Sequence, residues 1–153
     1  MALKSLFINK IFLSAVSSIF IAQFLKLVFY LITTKKRKKK DAIETIMWRT
    51  GGMPSSHSAV VCALATSVAL HEGIDSNLFV FCLIFAMVVL RDSVGVRRTA
   101  GLQAKALNNL GRQSAKVSGI DFRPIKEIHG HTPLEVMVGS GLGILIAICF
   151  FIF

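Results

Sequence analysis

Charge is what this sequence has least of: 17% of its 153 residues are Asp, Glu, Lys or Arg, against about a quarter in an ordinary soluble domain. The shortage is mostly of one sign, since 8 acidic residues stand against 18 Lys and Arg, a formal net charge of +10. With 54% hydrophobic residues and a mean hydropathy of +0.66, the chain is excluded from the soluble class and reads as an integral membrane protein with basic margins. Cysteine is sparse too. Cys62, Cys82 and Cys149 each fall in an apolar stretch, and an odd number without paired spacing excludes a disulfide framework or a zinc knuckle. The three thiols read as membrane-buried groups without chemistry.

What is present is a set of long apolar runs. Residues 11–32 are enough to cross a hydrocarbon layer of about 30 Å at about 1.5 Å per residue. This run is too long for the core of a signal peptide and lacks a small-residue cleavage site. Near its far end the expected behaviour of Lys26 is to snorkel to the headgroups. Gln23, three residues earlier on the same face, is the alternative candidate for lining an interior. Further spans are expected at about 54–71, 77–98 and 133–153. The second is short and only moderately apolar, so it needs protein neighbours more than lipid. In the last, Gly139, Gly141 and Gly143 supply a smooth face on which another helix can approach closely, a second copy of the chain being one candidate. The expected fold is all-α: a single polytopic membrane bundle of about four transmembrane helices, with residues 99–110 as an interfacial helix. The stretch from Gly111 to Pro124 reads as a flexible loop.

Basic residues orient the bundle. The loop 33–53 carries Lys35, Lys36, Arg37, Lys38, Lys39, Lys40 and Arg49, and the loop 99–132 with its margin carries Arg97, Arg98, Lys105, Arg112, Lys116, Arg123 and Lys126. The turn between the second and third spans has no Lys or Arg but holds Glu72 and Asp75. Both long loops are therefore expected in the cytoplasm, with the acidic turn and both termini outside despite Lys4 and Lys10. The run from Lys35 to Lys40 reads as a topology anchor that holds anionic lipid. It lacks the interleaved aromatics expected of a nucleic-acid site, and no nucleic-acid partner is expected.

Ionisable residues near or within spans are costly and mark function. Here they are Arg49, His57, Arg91, Asp92, Arg97, Arg98, His129, His131 and Glu135, all on the expected cytoplasmic side. The stretch Gly51–Ser58 has the chemistry of an anion cradle. Its glycines allow close backbone approach, Pro54 suits the first turn of a helix, and helix N–H groups with the hydroxyls of Ser55 and Ser56 favour a phosphate oxygen. Either serine could instead simply cap the helix. His131 and Glu135 are four apart, a spacing that on a continuous helix would place them on one face, but Pro133 in the first turn leaves His131 just before the helix; a carboxylate on one ring nitrogen makes the other a better base or nucleophile. Arg97 and Arg98 are planar forks suited to phosphate, and Asp92 beside them suits an ion pair.

The motifs "RTGGMPSSHSA", "RDSVGVRRTAGLQA" and "GHTPLEV", in this order, resemble the divergent PAP2 family, small membrane proteins described as acid phosphatase/vanadium-dependent haloperoxidase-related. The resemblance covers about Trp48 to Gly143. It implies that His57, within Pro54-Ser55-Ser56-His57, protonates a leaving group, and that His131 is a nucleophile oriented by Glu135. Two cationic positions of the wider superfamily have no counterpart, since Ile125 stands six before His131 and Ala42 stands seven before Arg49, which is followed by Thr50 instead of proline. Phosphate charge then falls to Arg49, Arg97 and Arg98.

The function expected is hydrolysis of a lipid phosphomonoester, such as phosphatidylglycerophosphate or phosphatidate, through a phosphohistidine, without metal or other cofactor. The alternative is a non-catalytic membrane protein that binds or transports lipid phosphates or prenyl phosphates. A zinc site built from His57, His129, His131, Glu135 and Asp92 has suitable ligand types, but the sequence contains no HExxH-like pattern.

Overall fold

The computed structural model describes residues 2–33, 52–119, 121–127 and 130–153. Every regular element among them is an α-helix: α1 (Ala2–Leu6), α2 (Lys10–Thr33), α3 (Ser56–Glu72), α4 (Asn77–Val94), α5 (Val96–Ser118) and α6 (Pro133–Ile152). Three stretches are long and apolar enough to cross a membrane: α2, α4 continued by α5, and α6. The chain is thus a polytopic helical bundle. Lys35 to Lys40, Arg49 and His129 lie outside the described residues.

Local sequence explains where most helices begin. Asn9 accepts from the N–H groups of Ile11 and Phe12 at 2.9 and 3.1 Å, and Ser76 accepts from that of Phe79 at 3.1 Å, each satisfying donors that have no carbonyl partner in a first turn. Ser55 caps α3 in the same way, its hydroxyl oxygen accepting from the N–H of Ser58 at 3.4 Å. Pro54 is therefore not in the first turn of that helix. It precedes the cap, fully buried, with a cis bond to Met53.

At the centre of the bundle lies α3, its buried face made of Ser56, Ser58, Ala59, Val61, Ala63, Ala65, Ser67 and Val68. Large apolar side chains point the other way: Phe20 and Phe24 on α2, Phe81, Ile84, Phe85 and Met87 on α4, and Met137 and Leu145 on α6 are all exposed. Small residues inside and large ones outside is the polarity of helices that associate in lipid, where backbone proximity replaces hydrophobic burial as the source of packing. Cys82 belongs to a small core with Ala65 and Val68. Cys149, by contrast, is exposed, and all three thiols are free.

The closest packing joins α3 to α6. A Cβ placed on Gly139 would lie 2.3 Å from the carbonyl oxygen of Ser55, and one on Gly143 would lie 2.1 Å from that of Ala59. Further along, the His71 and Phe151 rings meet edge to face at 5.3 Å, so the two helices run parallel. The glycine face that the sequence offers to a neighbouring helix is thus filled within the chain by α3, whereas Gly141 faces open space. On the other flank α2 runs antiparallel to α3, and the buried hydroxyls of Ser14 and Ser67 hydrogen-bond at 2.6 Å.

Beyond α4 the chain bends at Gly95 (φ −93°, ψ −88°) and continues as α5 to Ser118. Half of the expected flexible loop is therefore helix. Gly111 does not break it because the Phe122 ring occupies the space where a Cβ would stand, and the helix ends at Gly119 in the left-handed conformation (φ 66°). The return strand of chain is fastened to α5 by Asn108, the one buried residue of that helix. Its amide donates to the Ile125 carbonyl at 2.8 Å and to Glu127 at 2.9 Å, and accepts from the Ile125 N–H at 2.8 Å.

Replacing Gly143 or Gly139 by Val forces a side chain into a backbone carbonyl that cannot move aside. Each is expected to destabilise the bundle by about 3 kcal/mol or more, read as a lower apparent Tm in detergent. Gly141→Ala is expected to leave Tm unchanged.

Candidate functional site

Three chain segments meet at the end of the bundle where α3 and α6 begin. The segment before α6 is tied to α4, the His131 N–H donating to the Ser93 carbonyl at 3.2 Å. Gly130 permits this approach, since a Cβ there would lie 2.3 Å from the backbone of Arg98. The segment before α3 is tied to α6, the Ser55 N–H donating to the Glu135 carbonyl at 3.1 Å. The parallel packing turns the N-terminal ends of two helix dipoles toward the same place, an arrangement that favours an anion.

Around Glu135 the sequence forms a capping box. Thr132 caps α6 and Pro133 opens it; the Thr132 hydroxyl accepts from the Glu135 N–H at 3.3 Å, and Glu135 Oε2 accepts from the Thr132 N–H at 3.0 Å. The same Oε2 lies 3.2 Å from His131 Nδ1. His131 therefore does not stack on a helical face with Glu135, in keeping with Pro133 in the first turn. It sits just outside the helix and is reached by a carboxylate that folds back to cap the first turn. Because a carboxylate accepts, Nδ1 carries the proton and Nε2 keeps its lone pair.

The His131 side chain is only 4% exposed. Burial pushes its imidazole below the ordinary value of 6.5; the hydrogen bond it donates to Glu135 opposes this, and the charges of Lys26 and Arg97 add to the lowering. The balance favours the neutral ring over the imidazolium. His57, in the first turn of α3, is exposed, and its ring centroid lies 6.4 Å from that of His131. Charges of Arg97, His131, Lys26 and Asp92 all reach it. Arg97 donates from Nε to Asp92 Oδ2 at 2.6 Å, which fixes the guanidinium by one edge.

The structure thus brings together His57, His131, Glu135, Arg97 and Asp92. Ser55 and Ser56 are adjacent but buried. The Ser55 hydroxyl also accepts from that of Ser58 at 2.9 Å, so its side chain and N–H are both committed to the fold. The Arg98 side chain is exposed, and its backbone serves as the surface on which Gly130 rests. Among the described residues no group of three or more His, Cys, Asp and Glu side chains is placed to hold a metal.

One member of the cluster was not expected. Lys26 does not snorkel outward; it is 4% exposed and turned into the bundle, where the Glu135 carboxylate attracts it. Gly52 packs beside the stem, a Cβ there standing at ordinary contact distance, 3.8 Å, from Lys26 Cγ. A signal for this exists in the sequence. The buried residues of α2 are Ser14, Ser18, Ala22 and Lys26, a stripe with a period of four whose first three members are small. Lys26 continues the stripe that packs inward.

Comparison with known proteins places this helical membrane protein in a family. The model of the divergent PAP2 family matches residues 7–146, and the chain belongs to that family. It is also 39% identical over 147 residues to "Uncharacterized membrane protein YuiD" of Bacillus subtilis (strain 168), covering 89% of this chain and 90% of the relative. No solved structure matches.

Glu135→Gln tests the geometry without any assay of turnover. Gln retains the capping box but removes the negative charge that favours the imidazolium. The titration midpoint of His131, followed by NMR of labelled histidine, is expected to fall further below 6.5, with little change in Tm.

Proposed function

We propose that the protein is a lipid-phosphate phosphohydrolase acting on a phosphomonoester headgroup at the cytoplasmic face of its membrane. The observation that supports this best is the pairing of the two imidazoles. The 6.4 Å between ring centroids is a span that a phosphoryl group and its ester oxygen can bridge, and Glu135 on Nδ1 directs Nε2 of one ring as the nucleophile. Membership of a PAP2-related family supports the same chemistry. The cytoplasmic side is supported by the basic loops flanking this end, and Lys35 to Lys40 would gather anionic lipid beside it.

In this scheme His131 Nε2 attacks phosphorus and the P–O ester bond breaks. Its electron pair passes to the leaving alkoxide oxygen, which takes a proton from His57. His57, now neutral, accepts a proton from water as that water attacks the phosphohistidine, and phosphate and free Nε2 are regenerated. Arg97, whose Nε edge is held by Asp92, keeps its terminal Nη groups for the equatorial oxygens; Arg49 and Arg98 are further candidates for this charge. Glu135 holds the imidazolium-like ring through the transfer.

His131→Ala is expected to lower the rate of phosphate release from phosphatidate or phosphatidylglycerophosphate by about 10³-fold or more. His57→Ala is expected to cost about 10²- to 10⁴-fold on these alkyl esters, and far less on 4-nitrophenyl phosphate, whose leaving group needs no proton. Parent-like turnover by the His131 variant would refute the nucleophile. Binding of lipid phosphate without release by the parent would favour the non-catalytic alternative.

The pH profile follows from the lowered His131 pKa. A nucleophile that resists protonation stays active to lower pH, so the acid limb of kcat/KM is expected below pH 6.5.

A further inference from the structure

Two polar groups in the membrane half of the site have no partner that accounts for them. Lys26 is 4% exposed, yet among the described residues its ammonium makes no hydrogen bond and no ion pair. The Glu135 carboxylate attracts it without a direct contact, in a place where an incompletely paired charge is costly. The nearby carboxylates are already engaged: Glu135 Oε2 with His131 and Thr132, and Asp92 with Arg97. One turn earlier on α2, Gln23 Oε1 is buried with no hydrogen-bond donor. The backbone beside the lysine is bare, since Gly52 stands against its stem in a conformation (φ 93°) that excludes most side chains. Lys26 also lies within electrostatic reach of both imidazoles, His57 and His131.

A buried, incompletely paired cation next to two histidines and two helix N-termini is a receptor for an oxyanion. We propose that the Lys26 ammonium binds a non-bridging oxygen of the phosphoryl group held between His57 and His131, entering the site from the α2 side while Arg97 enters from the α4–α5 side. This rests on the phosphate reading above and adds a substrate-binding cation to it. It also supplies positive charge where the motif arginine and lysine of the wider superfamily have no counterpart. Gln23 Oε1 adds an acceptor on the same face for a hydroxyl of the phosphate or of the headgroup.

The test uses the full chain in detergent, with inorganic phosphate and short-chain phosphatidate as separate probes, Tm and Kd as readouts of binding, and phosphate release as a separate measurement. Lys26→Met is expected to weaken both probes at least tenfold, with Lys26→Arg recovering part of the affinity. Without ligand, the Lys26→Met protein is expected to be as stable as the parent or more so, because an incompletely paired buried charge has been removed. A structural lysine would give the opposite sign. Unchanged Kd for either probe in Lys26→Met, or weakening toward inorganic phosphate alone, overturns the proposal.

A second measurement covers the case in which Lys26→Met does not fold. In parent protein labelled with ε-15N lysine, the Lys26 resonance, assigned by its loss in Lys26→Arg, should move on adding phosphate. An unmoved resonance overturns the assignment. Failure of the hydrolase reading looks different: phosphate bound through Lys26 but never released from any lipid leaves this proposal standing and removes the catalytic one. Turnover with an unchanged KM in Lys26→Met does the reverse.

Discussion

The contact between α3 and α6 carries the rest of the molecule. Because Gly139 and Gly143 present no side chains, the two helices approach until α6 backbone faces the carbonyls of Ser55 and Ala59. That closeness has a second effect at the helix ends. It lets the Ser55 N–H reach the Glu135 carbonyl, so the starts of two parallel helices are locked side by side. His57 belongs to one start and His131 to the other. The distance between the imidazoles is therefore a consequence of backbone packing well inside the bundle, where no functional side chain is present.

The same economy runs through the interior. Most bundle cores in water are filled with Leu, Ile and Phe, whereas this one is made largely of Ser, Ala, Gly and a few Val, with hydroxyls that satisfy one another or nearby carbonyls, as in Ser14 with Ser67 and with Ile11. Lipid offers no hydrophobic reward for burying large side chains, so small residues and short distances take over. A core of this kind leaves room at its polar end for Lys26 and His131 to be enclosed together.

How much of this could be read in advance depends on the range of the interaction concerned. The helical class, the approximate limits of α2, α4 and α6, and the histidine pair were visible because hydropathy runs and local motifs are properties of contiguous residues. The glycines of α6 were legible as a packing face, but their partner was not, since nothing local distinguishes α3 of the same chain from another copy. The extent of α5 was missed because Gly111 resembles a breaker until Phe122 is seen covering it. Lys26 was misread because snorkelling is the common fate of a lysine near a span end, and only the period of Ser14, Ser18 and Ala22 reveals that its face turns inward. The relation of His131 to Glu135 was legible in its members and in the place of His131 just before the helix; the capping box through which the carboxylate reaches back was not.

The amide of Asn108 deserves comparison with a mooring line. The excursion from α4 to α6 is long, and closing a long loop onto a fixed site costs conformational entropy that grows with its length. By clasping Ile125 through both its N–H and its carbonyl, one asparagine divides the excursion in two. His131 then stands only six positions beyond that clasp in the sequence, and a neutral side chain on α5 holds the chain that leads to it.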